Sequence, residues 1–350
     1  MNFNIGPSRL YPTVAQHINN ALKDEILSVS HRSGTFKEIY KNTVDNLREL
    51  LRIPDSHEVF FLSSATEAME VLLENCCLEK SFHFVNGAFS KKLFELALEL
   101  KKQPQKNEVA WGQGFEFEEV VMPEETELVC LTHNETSTGV MLDLIDVYKL
   151  REKYPNKLFA LDITSSIPYV DVDYRLIDYA FFSVQKGFGL PAGLGVIVVS
   201  KKAIEKAEKI KDQGLNIGGF HNLLNLKKMS DEFQTVETPN MLNIYLLGKV
   251  CEDMINYGIN RLRKETEEKS ALIYGFFDRD KRLFVSAKKV RSRTTIVIKT
   301  DKNSSEIIEA LKKKNILISS GYGKLKNEQL RIPILPAIPM EDYKKLLGSW

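Results

Sequence analysis

Short runs of β-branched and aromatic residues recur along the chain, each bounded by glycine or polar positions, with apolar residues at helical spacing between them. Strands covered by helices on both faces read as such continuous apolar runs, so the alternation predicts a largely parallel sheet. Residues 59–62, 82–85, 128–132, 158–164 and 179–184 are the expected strands, and 195–199 is expected to extend the sheet at its edge. Helices are expected over about 13–27 and 36–51, from the 63–67 turn to about 77, from 90 to about 100, and over 143–154 and 201–211. The polar residues 212–236 read as loop, and one long amphipathic helix follows from 240 to about 277. From 284 to 300 the pattern changes to alternating strands. A helix at 304–314, strands at 316–319 and 330–335 and a closing helix from 341 complete a smaller α+β lobe. Residues 1–12 are too short and too punctuated for a core element and read as an ordered arm.

Composition narrows the class. With 350 residues, 43% hydrophobic and 27% charged, the chain is long enough for two lobes and has the make-up of a globular protein. Its 48 basic and 47 acidic side chains leave a formal charge of +1, so no global field favours nucleic acid or an anionic membrane, and neither is an expected partner. The apolar runs are strand-sized and interrupted by charges, and residues 1–12 lack the blocks of a signal peptide, which points to a cytoplasmic protein. Cys76, Cys77, Cys130 and Cys251 lack zinc spacing and are expected to be free and buried, with no metal site.

The chemistry concentrates between residues 158 and 199. Asp162 lies within one expected strand, and Gln185 and Lys186 follow the next, opening into the glycine-rich turn Gly187-Phe188-Gly189-Leu190-Pro191-Ala192-Gly193. Open α/β sheets place ligands at the carboxyl ends of their strands, so an acid and an amine meet there. Pyridoxal phosphate uses both. The amine condenses with its aldehyde, and the carboxylate pairs with the ring nitrogen and keeps it protonated, so that the ring accepts electrons.

Leu161-Asp162-Ile163-Thr164-Ser165-Ser166 and Ser183-Val184-Gln185-Lys186-Gly187 together resemble the core of the class V aminotransferases, which are fold type I pyridoxal phosphate enzymes. The resemblance implies an α/β, fold type I architecture: a large domain with a mostly parallel seven-stranded sheet flanked by helices, plus a smaller C-terminal α+β domain. The expected divisions are an arm over 1–14, a large cofactor-binding domain over 15–245 and a small domain over 246–350.

Other segments extend the likeness. Ser64, Ala65 and Thr66 sit at a strand-to-helix turn, where they can cap the helix and where its unpaired amides make an anion site. The same residues are similar to the class V loop around the cofactor's phosphate. Phe89 reads as a core residue or, by resemblance, as the ring stacked on the cofactor, a place usually held by tryptophan. The polar loop His133-Asn134-Glu135-Thr136-Ser137-Thr138-Gly139 resembles the family's cofactor loop and implies a hydrogen bond from Thr136 to the phenolic oxygen, and Gln185 joins the cofactor set. Thr238-Pro239 resembles a pair that crosses a dimer interface to the partner's cofactor phosphate, which implies a homodimer with shared sites. Glu237 stands where phosphoserine aminotransferases carry asparagine, and a carboxylate beside a phosphate is expected to turn away or pair with a basic group.

The likeness is greatest to the phosphoserine aminotransferases. Asn2-Phe3-Asn4-Ile5-Gly6-Pro7 resembles their substrate-site arm, and Ser30-His31-Arg32 their segment for the substrate's phosphate. Arg331, in an otherwise apolar strand, matches the clamp for the substrate's α-carboxylate. The implied reaction is ping-pong transamination between small amino acids and keto acids, O-phospho-L-serine and 2-oxoglutarate first, with Lys186 and Asp162 as catalytic residues. Two departures leave an alanine or serine:glyoxylate (or pyruvate) reading open. Glu67 stands where phosphoserine aminotransferases usually carry arginine, and Gly321-Tyr322-Gly323-Lys324-Leu325-Lys326-Asn327 lacks their His-Arg pair and looks more like the glyoxylate enzymes.

Overall fold

The computed structural model describes all 350 residues, Met1–Trp350. After β1 (Asn2–Phe3), α1 (Val14–Lys23) and α2 (Gly34–Leu51), the chain enters the main sheet with β2 (His57–Leu62). From there α3 (Ala65–Cys76) leads to β3 (Ser81–Val85), and α4 (Ala88–Glu99) and β4 (Gln105–Glu108) to β5 (Leu128–Thr132). A short hairpin, β6 (Asn134–Glu135) with β7 (Val140–Met141), and α5 (Leu144–Lys153) precede β8 (Leu158–Asp162), β9 (Tyr179–Ser183) and β10 (Gly195–Ser200). The seven-stranded sheet runs β2-β10-β9-β8-β5-β3-β4. β9, β8, β5, β3 and β4 pair in parallel, and β10 is antiparallel to both β2 and β9.

The composition of the parallel core matches its place: β5, β8 and β9 are buried at every position, the environment of a sheet covered on both faces. Two details differ from the sequence-based reading. β10 does not extend the sheet at its edge; it lies inside, wholly buried, and β2 takes the edge. The turn from Ser183 to Gly195 is too short for a helical crossover, so the returning strand lies antiparallel beside β9. β4, whose residues are Gln105-Lys106-Asn107-Glu108, carries no apolar run because it is the polar opposite edge.

Four helices follow β10: α6 (Lys201–Asp212), α7 (Leu223–Ser230), α8 (Met241–Tyr257) and α9 (Ile259–Arg279). α7 falls inside the expected loop 212–236. Asn222 caps it by accepting from the Asn225 amide at 3.0 Å, but it buries only Leu223 and Leu226, too few to set a period. The expected long helix is two helices, broken at Gly258, whose φ of +94° only glycine adopts readily. α8 packs beside α2 in the core of the main sheet, whereas Ile273, Tyr274 and Phe277 of α9 belong to a second core.

That second core lies under a four-stranded sheet, ordered β1-β12-β13-β11, of β11 (Thr295–Lys299), β12 (Leu317–Ser320) and β13 (Gln329–Pro333) with the amino-terminal strand. α10 (Ser304–Lys313) and α11 (Met340–Leu347) cover it. Residues 284–300 hold one strand rather than several, because Lys288–Val290 form a single 3₁₀ turn before β11. The arm is more than a tail: Asn2 pairs with Leu317, Phe3 is fully buried, and β1 completes the smaller sheet. It then crosses to the main sheet, where Ser8 N donates to Gln185 O at 2.9 Å and Tyr11 N to Gly189 O at 2.8 Å. All four cysteines are free and buried. No helix is long and apolar enough to cross a membrane.

Candidate active site

The carboxyl ends of the parallel strands converge on one place, and the polar residues of the sequence analysis stand there. Asp162 ends β8, is buried, and accepts from the Thr164 amide at 2.8 Å through one oxygen. Burial pushes its carboxyl above the usual carboxylate range. The chain leaves β9 at Ser183 and places Gln185 and Lys186 beside it. Lys186 Nζ donates to Thr136 Oγ1 at 3.1 Å and lies 5.2 Å from the centre of the Phe89 ring. Burial lowers its amine to about 8, against the opposing pull of Asp162.

The lysine turn is held from both sides. Ser8 Oγ donates to Lys186 O at 2.8 Å, and a Cβ on Gly6 would stand 3.2 Å from Lys186 Cε, so the arm lies along the lysine stem. A Cβ on Gly187 would come within 1.8 Å of Ile167 O, a backbone atom that cannot yield. Gly187→Ala is therefore expected to destabilise the protein by more than about 4 kcal/mol, the range of severe backbone clashes. Insoluble protein or a much lowered urea midpoint is the expected result, and a wild-type midpoint contradicts it.

Phe89 is placed by a residue the sequence reading left without a role. Glu135 is fully buried and accepts from Phe89 N, Ser90 N and Ser90 Oγ through one oxygen, and from Ser137 N and Ser137 Oγ through the other. A carboxylate at the amino end of α4 satisfies its free amides and suits the positive end of the helix dipole. Arg331, in β13, donates through Nε to Ser320 O at 2.8 Å, which leaves its two terminal nitrogens as a fork. Its guanidinium lies 5.3 Å from the ring of Tyr322, whose own ring is 5.3 Å from Phe89. Burial lowers Arg331 to about 10. With Gln185 next to it in the chain, Lys186 thus joins Asp162, Thr136, Phe89 and Arg331 in one site. Tyr322 is its unforeseen wall, since a tyrosine in a glycine-rich loop gives no sign of what it faces.

Ser64, Ala65 and Thr66 open α3 at the end of β2. Ser64 Oγ accepts from Glu67 N at 3.1 Å, and Ala65 N donates to Ser183 Oγ at 2.6 Å, which fastens the loop to β9. A second group stands apart. Arg32 donates to Gln234 Oε1 at 2.5 Å, Thr235 O at 2.9 Å and Val236 O at 3.4 Å, and His31 Nδ1 is 3.4 Å from Thr238 Oγ1. Within one chain neither His31, Arg32 nor Thr238 shares a hydrogen bond with Lys186 or Arg331. Glu237 does pair with a basic group, His221, whose other ring nitrogen faces Glu67. A lone histidine in an expected loop gave no signal of this.

Pyridoxal phosphate fits the residues present. It calls for a lysine amine held partly uncharged, a buried carboxylate with an oxygen to spare, an aromatic ring beside the amine and a helix amino terminus fastened to the lysine-bearing strand, and Lys186, Asp162, Phe89 and the start of α3 supply them; Gln185 Oε1 is buried without a partner. That set, at the carboxyl ends of a mostly parallel seven-stranded sheet, defines a pyridoxal-phosphate-dependent enzyme of fold type I. Residues 1–325 match the family described as Aminotransferase class-V, and the chain belongs to that family: it is a transaminase. Similar proteins include a phosphoserine aminotransferase from Cytophaga hutchinsonii, 44% identical with a TM-score of 0.97 over 99% of this chain and 97% of that one. The phosphoserine aminotransferase of Rhodococcus jostii is 28% identical over 357 residues, 99% of this chain and 93% of its own. An aspartate aminotransferase from Thermus thermophilus is 25% identical with a TM-score of 0.85, covering 99% of this chain and 97% of that one.

Proposed function

We propose that this transaminase takes the amino group of O-phospho-L-serine and gives it to 2-oxoglutarate. The observation that carries the reading is the 44% identity and TM-score of 0.97 shared along almost the whole chain with the Cytophaga enzyme of that name. The Arg331 fork within the Lys186 site supports it, because both substrates bear an α-carboxylate that a planar donor pair matches.

When bound, pyridoxal phosphate supplies an aldehyde that takes up the amino group and a protonated ring that draws electrons from the α-carbon. In our reading Asp162 would keep the proton on the ring nitrogen, and Phe89, Thr136 and Gln185 would help hold the ring. Ser64, Ala65 and Thr66 receive the phosphate at the amino end of α3. Lys186 anchors the cofactor at rest. As a free neutral amine, Lys186 Nζ would move the proton at the substrate's α-carbon. Arg331 fixes the carboxylate and so aims the Cα–H bond.

Only the uncharged amine attacks an aldehyde, and burial holds the Lys186 amine down at about 8. The rate at which apoprotein covalently captures the cofactor is therefore expected to rise with pH and level off above about 8. Stopped-flow absorbance across pH 6 to about 9.5 checks this, and a rate still climbing tenfold per pH unit at the top of that range contradicts it.

His31, Arg32 and Thr238 make no hydrogen bond to Lys186 or Arg331 of their own chain, which supports a homodimer in which they reach the partner's site. A cytoplasmic location goes with the four buried free thiols, which persist in a reducing compartment. Glu67 favours one rival, transamination of alanine or serine with glyoxylate, since it stands where an arginine would donate to the substrate's phosphate and its own carboxylate, taken up by His221 and Ser63, offers no donor. Initial rates with phosphoserine, alanine and serine, each against 2-oxoglutarate and glyoxylate, separate the two. Highest kcat/KM for phosphoserine with 2-oxoglutarate is expected; highest kcat/KM for alanine or serine with glyoxylate replaces the reading.

A further inference from the structure

Glu67, His221 and Glu237 form a chain of three ionisable side chains at the mouth of the phosphate loop. Glu67 is the third residue of α3, and its Oε2 accepts from both the amide and the hydroxyl of Ser63 at 2.6 Å. Its Oε1 faces Nδ1 of His221, and Glu237 Oε2 faces Nε2 of the same ring. The His221 side chain is 8% exposed and is covered by the Phe220 ring, 4.2 Å away between centroids.

Two carboxylates on the two ring nitrogens require both nitrogens to donate, and only the imidazolium does so. The local charge follows: two acids and one cation leave −1 where two unpaired acids would leave −2. The same helix end, with Ala65 and Thr66 in its first turn, is where an anion is to bind. Thr238, next to Glu237, is tied to the same ring through its neighbour.

We propose that His221 is a positioning residue for the cofactor's phosphate, a cation that neutralises Glu67 and Glu237 and straps the amino end of α3 to the segment carrying Thr238. The inference rests on the reading that Ser64, Ala65 and Thr66 receive that phosphate. Hydrogen bonds to Glu237 and Glu67 hold the imidazole at about 9 despite its burial, and the histidine and Ser63 hold Glu67 at about 2, so the charges persist at neutral pH.

The test compares pyridoxal phosphate with pyridoxal, which has the same ring and aldehyde but no phosphate. Equilibrium titrations of apoprotein, followed by absorbance, are made for wild type, His221→Ala, His221→Gln and the uncharged triple variant Glu67→Gln/His221→Gln/Glu237→Gln. Removing the cation is expected to weaken pyridoxal phosphate about 10- to 100-fold, as loss of one partner from a buried charged network does, and to change pyridoxal less than about twofold. The triple variant is expected to recover most of the loss, since it removes the repulsion along with the cation. Should His221→Ala fail to fold, His221→Gln carries the comparison. Equal losses for both ligands, an unchanged affinity for pyridoxal phosphate, or a triple variant no better than His221→Gln overturns the proposal. A wild type that binds both ligands alike overturns instead the phosphate-loop reading beneath it.

Discussion

Lys186→Ala is expected to lower kcat for transamination at least about 10⁴-fold, because it removes the covalent anchor and the proton-transfer amine together. The fold should survive. Lys186 makes one side-chain hydrogen bond, to Thr136, and the Asp162 carboxyl that faces it is already pushed up by burial, so it can take a proton when the amine is removed. The variant should still take up the cofactor through Asp162, Phe89 and the α3 amino end, but without a covalent bond. A small primary amine added to the solution should restore part of the rate if the missing function is proton transfer. Activity within tenfold of wild type would mean that another amine does the work. Lys92, whose Nζ donates to Thr66 Oγ1 at 3.2 Å, is the neighbour to examine in that case.

Arg331→Gln carries the second large effect. Two charge-assisted hydrogen bonds to the substrate carboxylate, at about 1.5–3 kcal/mol each, amount to a loss of about 10²–10⁴ in kcat/KM. Arg331→Lys keeps the charge and loses the fork, so its activity should fall between wild type and Arg331→Gln. The loss should be shared by every amino-acid and keto-acid substrate, since all bear the same carboxylate. A loss confined to phosphoserine would instead place the arginine on the side-chain phosphate.

Much of this site was legible because its chemistry is local in sequence. Asp162 closes one buried strand and Lys186 follows the next, and the parallel pairing of β8 with β9 brings neighbouring strand ends together. Arg331 stood out because a charge inside an apolar strand needs a reason. What the sequence hid was set by long-range contacts. Glu135 looks like one polar residue among many in its loop; only the approach of α4 reveals it as the acceptor for Phe89 and Ser90. Tyr322 faces Phe89 because β13 and its loop come down on the main sheet, a relation no local pattern encodes. The same holds for β10, where an apolar run gave burial but not direction. α7 buries too few residues to show a period, and β4 is polar because it is an edge. His221 carries no local signal because two acids 170 residues apart, Glu67 and Glu237, meet on it only after folding.

The most direct test of the account is to find where the cofactor is attached and whether the substrate releases it. Holoenzyme is reduced with borohydride, digested and mapped by mass spectrometry, once without substrate and once after incubation with phosphoserine and no keto acid. The account predicts one modified residue, Lys186, and loss of that modification after phosphoserine, because the amino group has then moved to the cofactor and freed the lysine. A modification at any other lysine contradicts the site. A modification at Lys186 that phosphoserine does not prevent contradicts the assignment of phosphoserine as the amino donor.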